Sequence, residues 1–254
     1  MPTFKSMNGE NSSPNFQEPI VTNKVSNPDL FVPKVFGVMF IGLLLTALIA
    51  LGAGFLFTYL LESGNEIAVD VSIFTLFASS IGLIILSIVA PIVLARGKAG
   101  AIVPFILYII FMGILLSSLV MAIPYYILVE SVTITAVIFG LISLIGLLSK
   151  GKIKGLGITI LGLFVGVILI SIVNLIFFLF GNEYFMEGTY WLISYIYFAI
   201  SMFIAIWDVN RIKQISQSGY SANRNLVLYC AFIIYTDFIN ILIRVILLLA
   251  RNKK

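Results

Sequence analysis

The chain contains no histidine. That absence excludes a histidine-ligated zinc site, a Ser-His nucleophile pair and an imidazole pH switch. It has one cysteine, Cys230, set in an apolar run with no partner for an intrachain disulfide, so redox compartment is left open. No short apolar stretch followed by a small-residue cleavage site stands near Met1, so a secretory signal is not expected. Charge is also scarce: 10% of residues are charged and 61% hydrophobic, against roughly 25% and 45–50% in soluble domains. A chain of 254 residues cannot bury that much apolar surface in a core of its own, so lipid must cover it. The net charge of +4 is then no nucleic-acid footprint, because what counts is the position of each charge relative to the bilayer.

Residues 1–33 are rich in Asn, Ser and Pro and read as a disordered tail. From Lys34 onward, charges and turn residues divide the apolar sequence into seven runs, near 35–61, 71–95, 99–123, 131–148, 155–180, 190–210 and 226–250. Each is long enough, at about 1.5 Å rise per residue, to cross a hydrocarbon core of about 30 Å. Strands would be half as long and would alternate polar with apolar residues, so an all-α polytopic membrane domain over 34–250 is predicted, followed by a basic tail at 251–254. The fourth run has the least definite start, because the "PYYILVES" before it is itself apolar.

Basic residues are retained on the cytoplasmic side of a membrane. Lys5, Lys24 and Lys34, then Arg96 and Lys98, then Lys150, Lys152 and Lys154, then Arg211, Lys213 and Arg224 fall on one side. The opposite loops hold Glu62, Glu66, Asp70, Glu130, Glu183 and Glu187 and no basic residue. The N-terminus is therefore expected in the cytoplasm. Seven crossings place the closing "RNKK" outside, against the same rule; either the last helix crosses regardless, held by packing, or it re-enters. We take the crossing as the working topology.

Within the runs the ionisable residues reduce to Asp208, in "AIWDVNRIK", and Asp237 and Arg244, in "IIYTDFINILIRV". An Asp at the centre of a membrane helix costs roughly 2.5–3.5 kcal/mol on insertion scales, so Asp237 calls for a function. The midpoint of Asp208 and Asp237 falls in "QSGYSANRN", a turn-forming segment, which sets the two at equal depth in a helical hairpin. Asn240 lies one turn beyond Asp237 on the same helix. Level carboxyl groups away from water cannot both ionise cheaply, so the pair is expected to share a proton and titrate as a unit. Fully ionised, it offers hard oxygen ligands suited to calcium, with Asn240, carbonyls or water completing the shell. The plainer readings are a solvated helix-end charge at Asp208, near Arg211, and an Arg244 whose head reaches the outer interface.

Other motifs read as structural. Gly162 and Gly166 form a GxxxG that would let helices approach closely. Pro91, Pro104 and Pro124 mark kinks or boundaries, and Tyr190, Trp191, Tyr195 and Tyr197 form an interfacial belt running into core. "GKAG" and "GKIKGLG" lack the strand–loop–helix setting of phosphate loops.

"WDVNRIKQI" followed by "AFIIYTDFINIL" resembles the paired C-terminal signature of the Bax-inhibitor-motif family of membrane proteins, and "ARGKAGA" after the second run agrees with it. The resemblance implies six helices wrapped around a central seventh and an activity as a pH-sensitive calcium leak, in which Asp208 and Asp237 form the sensing and gating dyad. It also implies a basic partner for the first aspartate, for which Arg96 is the nearest match. Trp207 and Thr236 depart from the family's usual Tyr and Leu. Arg244 lies about a turn closer to the dyad than the family's late arginine and could repel a cation there. The acidic residue some relatives carry in the second helix has no counterpart.

These readings favour a calcium-conducting protein without catalytic activity or a cofactor, acting as a monomer with lipid and calcium as its contacts. A bacterial plasma membrane is the expected host, with the endoplasmic reticulum as the alternative. Two other functions stay open: a regulator of cell death or stress working through protein partners, and an intramembrane aspartyl protease. The protease reading lacks the Gly-x-Gly before its second aspartate, since Tyr235 and Thr236 stand there. A retinal protein is not expected, because no lysine lies inside a span to form the Schiff base.

Overall fold

The computed structural model describes residues 30–63, 66–96, 102–149, 154–179, 183–218 and 224–252. All regular structure among them is helical. The order is α1 (Phe31–Glu62), α2 (Glu66–Ala95), α3 (Ile102–Ala122), α4 (Tyr125–Leu148), α5 (Lys154–Leu179), α6 (Glu183–Gln217) and α7 (Arg224–Asn252). Every helix except α5 has a described stretch long and apolar enough to cross a membrane; in α5 the described apolar stretch is Ile160–Ile172. In hydrocarbon each backbone N–H and C=O needs an internal partner, and a continuous helix supplies one for all but its ends.

The boundaries follow the sequence closely, with α2 starting five residues early at Glu66 and α7 running two residues into the expected tail, to Asn252; three other differences bear on the fold. The first helix starts at Phe31, so residues 31–33 belong to it and not to the tail; residues 1–29 lie outside the described residues. The "PYYILVES" segment is not a loop. Pro124 caps α4 with an extended backbone (φ −54°, ψ 138°), and Tyr125 begins the helix six residues before the expected start. A proline just ahead of a helix loses nothing there, because the first N–H groups have no intrahelical partner. The third difference is α6, whose 35 residues reach about 50 Å and therefore project beyond the hydrocarbon.

The most deeply enclosed helix is α7. Half of its most apolar window is buried, against 17% in α2. It packs on α1, α2, α4 and α6 and touches α3, while α5 packs on α6. Large side chains such as Leu48, Phe55, Phe74 and Ile84 point outward from α1 and α2, as expected where lipid is the solvent.

Aromatic and hydroxyl contacts fix α7 in place. Phe232 and Tyr235 meet Phe105 and Tyr108 of α3 edge to face, with centroids 5.1–6.1 Å apart. On another side Phe238 meets Phe139 of α4 at 5.3 Å. Thr46 of α1 donates its hydroxyl to the Gly42 carbonyl at 2.9 Å, which leaves the fully buried Tyr235 hydroxyl to donate to Thr46 at 2.7 Å.

Close approach between helices depends on glycines other than those the sequence pattern singles out. A Cβ at Gly146 of α4 would stand 2.9 Å from the Val209 side chain and 3.0 Å from the Ile206 carbonyl of α6, and one at Gly113 would stand 2.7 Å from Ile49. Gly162 and Gly166 meet no neighbour among the described residues, where a GxxxG is expected to pack: a Cβ at either finds nothing there within 4 Å. The motif permits approach but does not say which face meets a neighbour. Thermal unfolding in detergent checks this contrast. Gly146→Ala is expected to lose about 1–3 kcal/mol, as overpacking does, whereas Gly162→Ala is expected to be neutral or to gain up to about 1 kcal/mol from helix propensity.

Candidate functional site

Asp208 lies nine residues before the end of α6 at Gln217, and Asp237 lies thirteen after the start of α7 at Arg224. The offset of four residues is about 6 Å, one turn, where the sequence places the two level. Side-chain direction works against this offset. Cα–Cβ bonds lean toward a helix's own N-terminus, so in this hairpin Asp208 leans away from the turn and Asp237 back toward it. The lean narrows the difference in depth between the carboxyl groups, and Asp208 exerts an electrostatic effect on Asp237 and on Cys230. The turn itself, residues 219–223, lies outside the described residues.

The environments of the two acids differ. Asp208 is half-buried and within electrostatic reach of the exposed Arg211, three residues on. Asp237 is only 6% exposed, and its Oδ2 has no hydrogen-bond partner among the described residues. A buried polar atom without a partner costs about 1–3 kcal/mol, and more when it carries charge.

The other expected site residues have different surroundings. Arg96 follows the end of α2 and is exposed, and among the described residues Arg211 acts electrostatically on Asp208. Asn240 is exposed, so the same helix that buries Asp237 turns its next-turn neighbour outward. Arg244 is half-buried, with its guanidinium 4.9 Å from the centre of the Tyr197 ring of α6, a cation–π contact. Arg251 sits likewise over Trp191 at 4.5 Å. Trp191 in turn stacks on Tyr195 at 5.7 Å, while the side chain of Tyr190 lies outside the described residues. Arg244 is thus engaged on α6 at the end of the hairpin away from the turn.

Among the described residues no group of three or more His, Cys, Asp or Glu side chains is placed to hold a metal ion. Asp208 and Asp237 bring two carboxyl groups, well short of the six to eight oxygens calcium takes at a resident site.

One site-adjacent residue was not singled out from the sequence. Asn210, 1% exposed, lies two residues after Asp208. Its Nδ2 donates to the carbonyls of Gly146 at 3.2 Å and Ser149 at 3.4 Å, the end of α4, and its Oδ1 accepts from Gln214 at 2.6 Å. Lys213 donates to the same helix end, at Leu147 and Ser149. Terminal carbonyls of a helix have no partner within it, so an amide and an ammonium from α6 bind α4 there and hold the stretch of α6 that carries Asp208. The available signal was "WDVNRIK" itself, in which Asn210 falls beside the acid. Asn210→Ala is expected to cost about 1–3 kcal/mol in thermal unfolding, because it removes the amide that binds the Gly146 carbonyl and the oxygen that accepts from Gln214.

Residues 29–254 match the family model described as Inhibitor of apoptosis-promoting Bax1. The chain is also 30% identical over 220 residues to the "Inner membrane protein YbhL" of Escherichia coli (strain K12), an alignment covering 83% of this chain and 87% of that protein. The protein of the same name from Escherichia coli O6:H1 matches with the same figures. With the helical bundle and its long apolar spans, these similarities establish the chain as an integral, multi-pass membrane protein belonging to the Bax inhibitor family.

Proposed function

We propose that this protein is a passive, pH-sensitive pathway for cations, with calcium as the transported ion and Asp208 and Asp237 as the proton-sensing pair that gates it. The observation that carries this reading is the Asp237 carboxyl group, 6% exposed, with one oxygen unpartnered and Asp208 acting on it from the adjacent helix. Such a group lowers its energy by binding a proton, a water or a cation. Protonation removes the repulsion between the two acids; proton loss restores it and favours an arrangement in which they separate or take a counter-ion. Because Asp237 sits on the most enclosed helix, a change in its charge bears on the contacts that seat α7, namely Tyr235 on Thr46 and Phe238 on Phe139. A shift between closed and open packings follows from that bias. Calcium is cargo in this reading, because two carboxyl groups favour a passing cation over a tightly held one.

Among the described residues, charged and titratable groups with electrostatic effects on this side of the bundle include these. On α6 they are Asp208 and Arg211, on α7 Cys230 and Tyr235, and on α3 Tyr108. Among the described residues, the buried polar side chains of α1 and α4 are the hydroxyls of Thr46, Ser131, Thr135 and Ser143. A protease reading gains no support, since Ile234 and Thr236 stand where the two glycines of a Gly-x-Gly-Asp sequence would fall. The likeness to bacterial inner membrane proteins supports a bacterial plasma membrane, and the basic loops support a cytoplasmic N-terminus. We take the single chain as the working unit.

The test is calcium flux into proteoliposomes loaded with an indicator, followed across the acid-to-neutral range. Wild-type flux is expected to change with pH and Asp237→Asn flux to be flat. An unchanged pH response in Asp237→Asn overturns the mechanism.

A further inference from the structure

Serine and threonine inside a membrane helix normally return their hydroxyl to a carbonyl three or four residues back. This chain follows that habit closely. On α4 itself, Ser131 donates to Ile127 at 2.6 Å and Thr133 to Val129 at 2.9 Å. Elsewhere Ser79 and Ser117 do the same. Thr135 and Ser143, also on α4, do not. Thr135 is fully buried and Ser143 is 6% exposed, and the hydroxyl oxygen of each has no partner among the described residues. The third buried side-chain oxygen of this kind is Asp237 Oδ2.

Packing places the three at one junction. Phe139 of α4 meets Phe238 of α7, the residue next to Asp237. Thr135 and Ser143 lie four residues to either side of Phe139 and about 40° to either side of it around the helix. They therefore flank the level of Asp237 and together span about 12 Å along α4. One turn past Ser143, Gly146 meets Val209 and accepts from Asn210, beside Asp208. Unpartnered oxygens thus succeed one another in depth along the α4–α6–α7 junction and end at the Asn210–Gln214 pair.

We propose that this junction is a hydrated polar seam, running from Thr135 past Asp237 to Ser143 and Asn210, whose hydroxyl and carboxyl oxygens with intervening water carry a small cation. Water takes such positions inside proteins when two or more polar groups lie within its reach. Hydroxyl, carboxyl and water oxygens are also the ligands that hard cations accept while part of their hydration is replaced. The proposal rests on the transport reading for its cargo but not for its water, and the test separates them.

Thr135→Cys, Ser143→Cys and the control Ile142→Cys, each in the full-length protein carrying Cys230→Ala, are reconstituted in liposomes and exposed to a small cationic methanethiosulfonate reagent. Ile142 is 5% exposed and lies on the same helix between the two. The expected result is rapid labelling at 135 and 143 and slow labelling at 142; equal, slow labelling at all three positions overturns the seam. Calcium flux forms the second arm. Thr135→Val is expected to lower flux while keeping its pH response, and Thr135→Ser to restore it. Selective labelling with no calcium flux in the wild-type chain keeps the water and removes the cargo. Flux with no selective labelling places the route elsewhere and overturns the proposal.

Discussion

A carboxyl group partway along a membrane helix has to be kept out of hydrocarbon, and the arrangement around α7 answers to that requirement. Asp237 could be accommodated by water, by a paired charge or by enclosure among other helices. Here it is enclosed, with four helices packed against α7 and a fifth touching it. Asp208 acts on Asp237 electrostatically from the preceding helix in the chain, and the opposed lean of side chains in an antiparallel hairpin narrows the difference in depth between two acids one turn apart. The two are unequal: Asp208 is half-open and near Arg211, whereas Asp237 is closed and incompletely bonded.

Bringing that many helices close to one axis limits side-chain volume at the crossings. Between α4 and α6 the limit falls on Gly146, and between α1 and α3 on Gly113. Without a hydrophobic drive between helices in lipid, such close approach is what dispersion and polar contacts have to work with. The polar contacts are concentrated at the ends and centre of α7's surroundings: Thr46 with Tyr235, and Asn210 and Lys213 on the end of α4. The outward faces of α1 and α2, by contrast, are simply apolar.

Much of this was legible in the sequence because the bilayer simplifies the reading. Run length and charge scarcity gave seven helices, and turn composition gave the hairpin that carries the two aspartates. Where the reading missed, the cause was a property that lies outside periodicity. The start of α4 was hidden because Tyr125 and Tyr126 suit a loop or an interfacial helix equally well, and Pro124 decides between them only once its backbone is seen. Gly162 and Gly146 look alike in one dimension; only the neighbour across the gap distinguishes them. Asn240 and Arg244 lie near Asp237 along the helix but are turned outward or onto Tyr197, since successive turns of a central helix face different partners. The unbonded state of Thr135 and Ser143 depends on rotamer choice, which composition does not encode.

The hydrogen bond between Thr46 and Tyr235 joins residues 189 positions apart. Its two helices are the first and the seventh described in the chain, so the segment at the heart of the bundle follows all of its neighbours out of the ribosome. Until it arrives, α1, α2 and α3 can pack on one another and α5 on α6, but the faces of α1, α2, α4 and α6 that meet α7 lack their partner. Assembly in the bilayer must then proceed as the filling of a prepared slot, and a nascent chain stalled before residue 224 would leave an open cleft exposed to membrane quality control.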